Sequence, residues 1–149
     1  MKRYRLFFLF LLFSFTACKT KDKVVKPEND IDAARDFIQA ALEGDFDKAR
    51  TYMLSDSANV NWMDVAERSY MKNDEETKYS YRKASIHIHD ISNPVKDSVT
   101  IVIFSNSFKN DHDTLKVLKK DGQWLVDFKY LFEHDKDTLP LMPVLKDSL

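Results

Sequence analysis

Leu115-Lys-Val-Leu-Lys-Lys-Asp-Gly-Gln-Trp-Leu-Val-Asp-Phe-Lys-Tyr-Leu-Phe132 (LKVLKKDGQWLVDFKYLF) is the stretch that decides the fold class. Asp121-Gly122 separates two alternating runs, and an Asp-Gly pair supplies the positive φ angles that a two-residue hairpin turn requires. Thr114–Lys120 therefore reads as one strand. Gln123–Phe132 reads as its partner, with Trp124, Val126, Phe128, Tyr130 and Phe132 on one face. On that alternation Asp127 points away from Val126 and Phe128. Upstream, Val99–Ser107 is apolar on both faces, the pattern of a central, covered strand. Tyr79–Ile91 alternates again, with Ala84, Ile86 and Ile88 opposed to Ser85, His87 and His89, and Asn93-Pro94 is read as the turn that follows.

Before residue 79 the period is helical. Ile31, Ala34, Ile38, Ala41 and Leu42 recur at helix spacing after Asn29-Asp30, either of which can cap the free N–H groups. Asp32 adds favourable charge to the first turn. Gly44 supplies the left-handed stop. Asp45 then caps a short helix carrying Phe46, Ala49, Tyr52 and Met53. Ala58–Lys72 places Trp62, Val65, Ala66, Ser69 and Tyr70 on one stripe, and Asn73-Asp74-Glu75-Glu76 reads as a polar break. Three helices followed by a four-stranded meander give an α+β class, with the helices on one face of a curved antiparallel sheet. Residues 133–149 are charged, contain proline and read as a tail.

The composition sets limits. The chain has 149 residues with 44% hydrophobic content and 11 Phe, 6 Tyr and 2 Trp, enough for one domain with a sizeable core. Only 2 Gly and 4 Pro argue against low complexity. The formal net charge is −1, and acidic and basic residues are interspersed, so there is no footprint for nucleic acid. The single cysteine is Cys18. A domain with no other cysteine cannot form an internal disulfide and relies on its core.

Cys18 stands at the end of an address-like segment. Lys2, Arg3 and Arg5 precede an apolar run from Leu6 to Phe15, closed by Thr16-Ala17-Cys18. About ten apolar residues at 1.5 Å each reach roughly 15–18 Å, too short for a hydrocarbon core of about 30 Å. An ordinary cleaved signal peptide remains an alternative. The segment resembles the lipobox of bacterial lipoproteins, with Phe15 where Leu is usual. That resemblance implies a signal peptide over residues 1–17, a lipidated Cys18 and a membrane-anchored protein. Residues 18–29 are then the lipidated Cys and its tether, in which Lys19–Asn29 spans at most about 36 Å extended. Bacteroidetes-type lipoproteins destined for the cell surface carry an acidic cluster after the Cys. Lys19-Thr20-Lys21-Asp22-Lys23 does not resemble it, which implies the periplasmic side of the outer membrane.

Two further stretches resemble one family. Phe37–Ala49 (FIQAALEGDFDKA) is similar to the opening of NTF2-like domains of bacterial lipoproteins, the group labelled DUF4878. Leu115–Asp127 (LKVLKKDGQWLVD) is similar to their closing hairpin. The likeness covers residues 30–130, within a domain placed at 30–132. It implies a cone, in which a sheet wraps a long helix and leaves a pocket at its open end. It implies no single activity, because that cone hosts SnoaL-like and isomerase-like enzymes, binders and structural modules.

Residues that carry chemistry are sparse. His87 and His89 share a strand face about 6–7 Å apart and are weak zinc candidates, with His112 or His134 as a third ligand. A polar, solvent-facing stripe is the simpler reading. No acid–base pair, nucleophile motif or glycine-rich phosphate loop stands out, so no catalytic residue and no cofactor is assigned. Trp62, Tyr70, Phe104, Trp124 and Phe128 are the aromatics expected between helices and sheet, as core or as the lining of a cavity for a small apolar ligand. The expectation is a non-catalytic envelope lipoprotein that binds such a ligand or an envelope partner. An enzyme on the same fold and a homodimerising interaction module are the alternatives.

Overall fold

The computed structural model describes residues 25–134. The signal segment, Cys18, the first part of the tether and the tail after His134 lie outside these residues. Four helices precede an antiparallel sheet: α1 (Asp30–Glu43), α2 (Phe46–Thr51), α3 (Ser57–Lys72) and α4 (Glu75–Lys83). The sheet is an open meander in the order β1 (Ile86–Val95), β2 (Val99–Asn106), β3 (Asp113–Lys120) and β4 (Gln123–Asp127). A short α5 (Lys129–His134) follows it. The α+β reading holds, with helices first and sheet second.

Short polar side chains start each of the four leading helices. Asn29 accepts from the Asp32 N–H at 2.8 Å, Asp45 from Lys48 at 3.0 Å, Asp56 from Ala58 and Asn59, and Asp74 from Thr77 at 2.7 Å. α1 ends at Gly44, whose φ of 78° lets the chain reverse into α2. The Asp121-Gly122 turn has φ angles of 50° and 77°, both positive as the hairpin reading requires.

Three boundaries differ from the sequence reading. Tyr79–Lys83 belongs to helix α4, not to a strand. Asp74-Glu75-Glu76 is a cap and an acidic first turn, completed by Arg82 and Lys83 in the last turn. Tyr81 and Ala84, three residues apart, then face the core in helical and not strand register. The second difference is at Asn93-Pro94, which does not turn the chain. β1 runs on to Val95, and the reversal comes at Asp97, with φ 56°. Pro94 is tolerated because β1 is an edge strand and its register shifts between Ser92 and Val95. The third is β4, which ends at Asp127. The Lys129 N–H bonds the Asn59 side chain at 2.9 Å instead of a neighbouring strand, and Lys129–Phe132 turns into α5.

The core lies between α1 and strands β2, β3 and β4. Ala33, Ala34 and Ala40 are fully buried and let α1 approach the sheet closely, with Phe37 and Ile38 between them. Val102, Leu115, Val117 and Val126 answer from the strands. Val102 pairs with Leu115 and Val117 with Val126, so these side chains share one face. The outer edge of β4 is closed by the chain after α2: Leu54 N–H donates to Val126 O and Val126 N–H to Tyr52 O. β1 is the open edge, protected by its register shifts and by Pro94.

One buried polar cluster docks α3. Asn59 is fully buried at the start of that helix. Its Nδ2 donates to Asp56 Oδ2 at 2.7 Å and to Asp127 Oδ1 at 3.1 Å, while its Oδ1 accepts from Lys129 N–H. Asp127 is 3% exposed, with Lys116 Nζ at 3.3 Å and Lys129 Nζ at 3.5 Å. Alternation alone points Asp127 away from its apolar neighbours but does not show that α3 covers it. The backbone and side-chain amides of Asn59 also hold the Asp56 carboxyl below the usual carboxylate range. A depressed folded-state pKa contributes stability above about pH 4 that is lost as pH falls through the lowered value. Asp56→Asn is therefore expected to flatten the acid limb of a stability–pH profile and to leave its slope near neutrality unchanged.

Arg50 links α2 to α3. Its Nη2 lies 2.6 Å from Asp64 Oδ1 and 2.7 Å from Glu67 Oε2. The three side chains are partly exposed, so the triad is worth about 1 kcal/mol or less. Arg50→Met is expected to lower stability by that amount in dilute buffer and by less in 1 M salt, read by urea unfolding.

Candidate functional site: a cavity between helices and sheet

The ends of α1 and α3 do not close against the sheet completely. α1 contributes Phe37, Ile38, Ala41 and Leu42, α3 contributes Ala66, Ser69 and Tyr70, and β2 and β3 contribute Phe104 and Leu115. Between them lies a cavity of about 290 Å³, just below the usual range for small-molecule sites. Its walls are aromatic: Phe37, Phe46, Tyr70, Tyr81, Phe104 and Phe128. Leu42, Phe104 and Phe128 belong to the core yet keep 6–8% exposure where they border this space.

The aromatic wall is interlocked. Phe37 packs on Phe128 with ring centroids 5.2 Å apart, and Phe46 meets Tyr70 edge-on at 5.4 Å. Tyr70 continues to Tyr81 at 5.9 Å, and Tyr81 to Phe108 at 4.9 Å. The Tyr70 hydroxyl donates to Leu42 O over a long 3.5 Å. Its ring lies directly over Gly44, where an added Cβ would stand 2.6 Å from Tyr70 Cε1. Gly44 is thus required for its φ and for this close approach. The sequence shows the first requirement and not the second.

Polar groups also contribute to the lining. Ser69 and Asn73 come from the last turn of α3 and its cap, Asn106 from the end of β2 and Asp113 from the start of β3. Asp113 is paired across the ladder with Phe104, so both stand on the cavity face of the sheet. Asn106 Oδ1 accepts the N–H groups of Phe108 and Lys109, which fixes its amide.

Of the five aromatics singled out by sequence, Tyr70, Phe104 and Phe128 line this cavity. Trp62 does not. It stacks on Phe132 at 4.0 Å with the planes 8° apart, holding α5 to α3. Trp124 lies elsewhere, beside a second cavity of about 280 Å³ with Lys26, Pro27, Tyr52 and Gln123, and carries Lys119 Nζ over its ring at 5.3 Å. Phe37, Phe46, Tyr81 and Asp113 also line the main cavity. Helix-stripe spacing marks Phe46 as inward-facing, but Tyr81 needs the α4 boundary and Asp113 needs the β2–β3 register.

His87 and His89 are both exposed on β1. His89 Nε2 lies 2.8 Å from Ser105 Oγ, and its ring stacks on His112 with centroids 4.1 Å apart. Stacked rings aim their nitrogens past one another, not at a shared ion. Among the described residues no group of three His, Cys, Asp or Glu side chains could hold a metal, and the His134 side chain lies outside them. No described helix is long and apolar enough to cross a membrane.

No protein-family model, curated protein or solved structure matches this chain.

Proposed function

We propose that this chain is a lipid-anchored envelope protein whose NTF2-like domain binds a small apolar ligand without transforming it. The single observation that carries the ligand reading is the 290 Å³ cavity with its aromatic wall. An apolar ligand of that size gains by leaving water, and the space is there without breaking the ring contacts of the wall. The domain is a cone in which the β2–β3 face and α1 form the walls and α3 and α4 form the rim. Cys18 carries the lipid, residues 19–29 span the gap to the domain, and the protein faces the periplasm from the outer membrane.

One observation favours the enzymatic alternative. Asp113 places a carboxylate in the cavity lining alongside the hydroxyls of Tyr70 and Tyr81, the residue types that acid–base chemistry uses. The Tyr70 hydroxyl is already directed at Leu42 O, which leaves it poorly aimed at a developing oxyanion. A third reading, an interaction module, draws on the outer face of the sheet. Val99, Leu118 and Leu125 are in register there and half-buried, a row on which a second copy or an envelope protein could sit.

Native mass spectrometry of residues 19–149, isolated gently from the native envelope, separates these. A reproducible added mass lost on denaturation is the expected result. A bare monomer would contradict the binder, and a bare dimer would shift the reading to the sheet face. A bound molecule that converts to a second mass on incubation would establish the enzyme.

A further inference from the structure

The electrostatics of the main cavity narrow its ligand beyond "apolar". Two helices end at it. Ala41 and Leu42 are in the last turn of α1, and Ser69 and Tyr70 are in the last turn of α3, whose cap Asn73 also lines the space. Helix C-termini carry the negative end of the helix dipole, here with the Ala40 and Ala41 carbonyls capped by the Gly44 N–H and the Leu42 carbonyl taking the Tyr70 hydroxyl. α1 has no basic residue in its last turn to offset this. α3 has Lys72 there, but that side chain is exposed and does not line the cavity.

The charged groups point the same way. Asp113 is the ionisable carboxyl in the lining, and the described lining contains no Lys, Arg or His. Asp113 is already engaged within the protein, but a carboxylate has about four acceptor sites and can take another donor. Tyr70, Tyr81 and Phe104 also line the space, and an aromatic ring attracts a cation that meets its face. A fatty-acid-like carboxylate would meet the Asp113 carboxyl and two helix C-termini, with no Lys, Arg or His in the described lining to receive it.

We infer that the cavity selects a compact aromatic or aliphatic amine in its protonated form, with the apolar body between Phe37, Phe104 and Phe128 and the ammonium toward Asp113 and the α3 C-terminus. The inference rests on the ligand-binding reading above and adds the charge of the ligand. A space of 290 Å³ fits a body of about one fused bicyclic ring with a two-carbon arm.

Three probes with the same body test it: tryptamine (cation), 3-ethylindole (neutral) and indole-3-propionate (anion). Each is titrated calorimetrically into the full chain in lipid nanodiscs, with empty nanodiscs as the blank for partitioning. The expected order is tryptamine tightest, by about tenfold over 3-ethylindole, with indole-3-propionate weakest. Asp113→Asn is expected to bring tryptamine to within about threefold of 3-ethylindole, both measured on that variant. Equal binding of all three, or an anion preference, would overturn the inference and leave the binding reading standing. Binding by none of them would overturn both. The three-probe order in the unsubstituted chain decides the matter even where Asp113→Asn folds poorly.

Discussion

Asn59→Leu is expected to destabilise the domain by about 3–4 kcal/mol, the largest effect of any single polar substitution in the described residues. The shapes are close, so packing is nearly conserved. What is lost is chemical. Asn59 bonds Asp56, Asp127 and the Lys129 N–H, and it is fully buried. Leucine leaves the Lys129 N–H without its acceptor and Asp127, 3% exposed, with only its two lysines. Replacing both partners, as Asn59→Leu with Asp127→Leu, removes the buried carboxylate that has lost its amide donor and is expected to recover at least about 1 kcal/mol. Urea unfolding of the two variants measures this. A loss below about 1 kcal/mol for Asn59→Leu would mean that α3 is held by Trp62–Phe132 stacking and the Arg50 triad instead.

Gly44→Ala is expected to cost about 3 kcal/mol and to close the cavity. The left-handed φ of 78° accounts for about 1–2 kcal/mol of that for any residue with a Cβ. The rest comes from contact. The new methyl would stand 2.6 Å from Tyr70 Cε1, and Tyr70 is hemmed by Phe46 and Tyr81. The ring must swing, and the free space it can enter is the cavity. Gly44→Asn separates the two terms, because asparagine tolerates the left-handed region but still carries a Cβ. In a Tyr70→Leu background the contact term disappears, and Gly44→Ala should cost only the backbone share. Equal penalties in both backgrounds would show that Tyr70 does not press on Gly44.

These two positions also show what the sequence discloses. Gly44 is legible as a helix stop because the apolar stripe of α1 ends there and an Asp cap follows. Its second duty, leaving room for Tyr70, depends on a contact 26 residues away in the chain and has no local signature. Asn59 offers no signal at all, being a polar residue inside an exposed-looking helical run. Its burial follows from where β4 stops, and β4 stops because Lys129 bonds it. The hairpin at Asp121-Gly122 and the central strand Val99–Asn106 were legible because local turn chemistry and burial agree there. Tyr79–Lys83 was not, because five residues fit a period of two about as well as one of 3.6. The acidic cap before it, followed by basic residues after it, was the better guide.

The cavity was legible only in kind. Aromatics at inward positions imply a core that can open into a pocket, and Tyr70, Phe104 and Phe128 do line one. Which aromatics border space and which fill it depends on small angular differences. Trp62 stands on the same helix as Tyr70, α3, yet it spends its face on Phe132. The carboxylate of the lining required strand register to see, since the pairing of Asp113 with Phe104 is what puts it on the cavity face.

The most direct measurement of the central claim is a two-dimensional amide NMR titration of residues 19–149 with 3-ethylindole, the neutral probe. The account expects saturable shifts at Ala41, Leu42, Tyr70, Asn106 and Leu115, which surround the cavity, and none at the Asp121-Gly122 turn. Shifts confined to Val99, Leu118 and Leu125 on the outer face, or no saturable shifts at all, would contradict it.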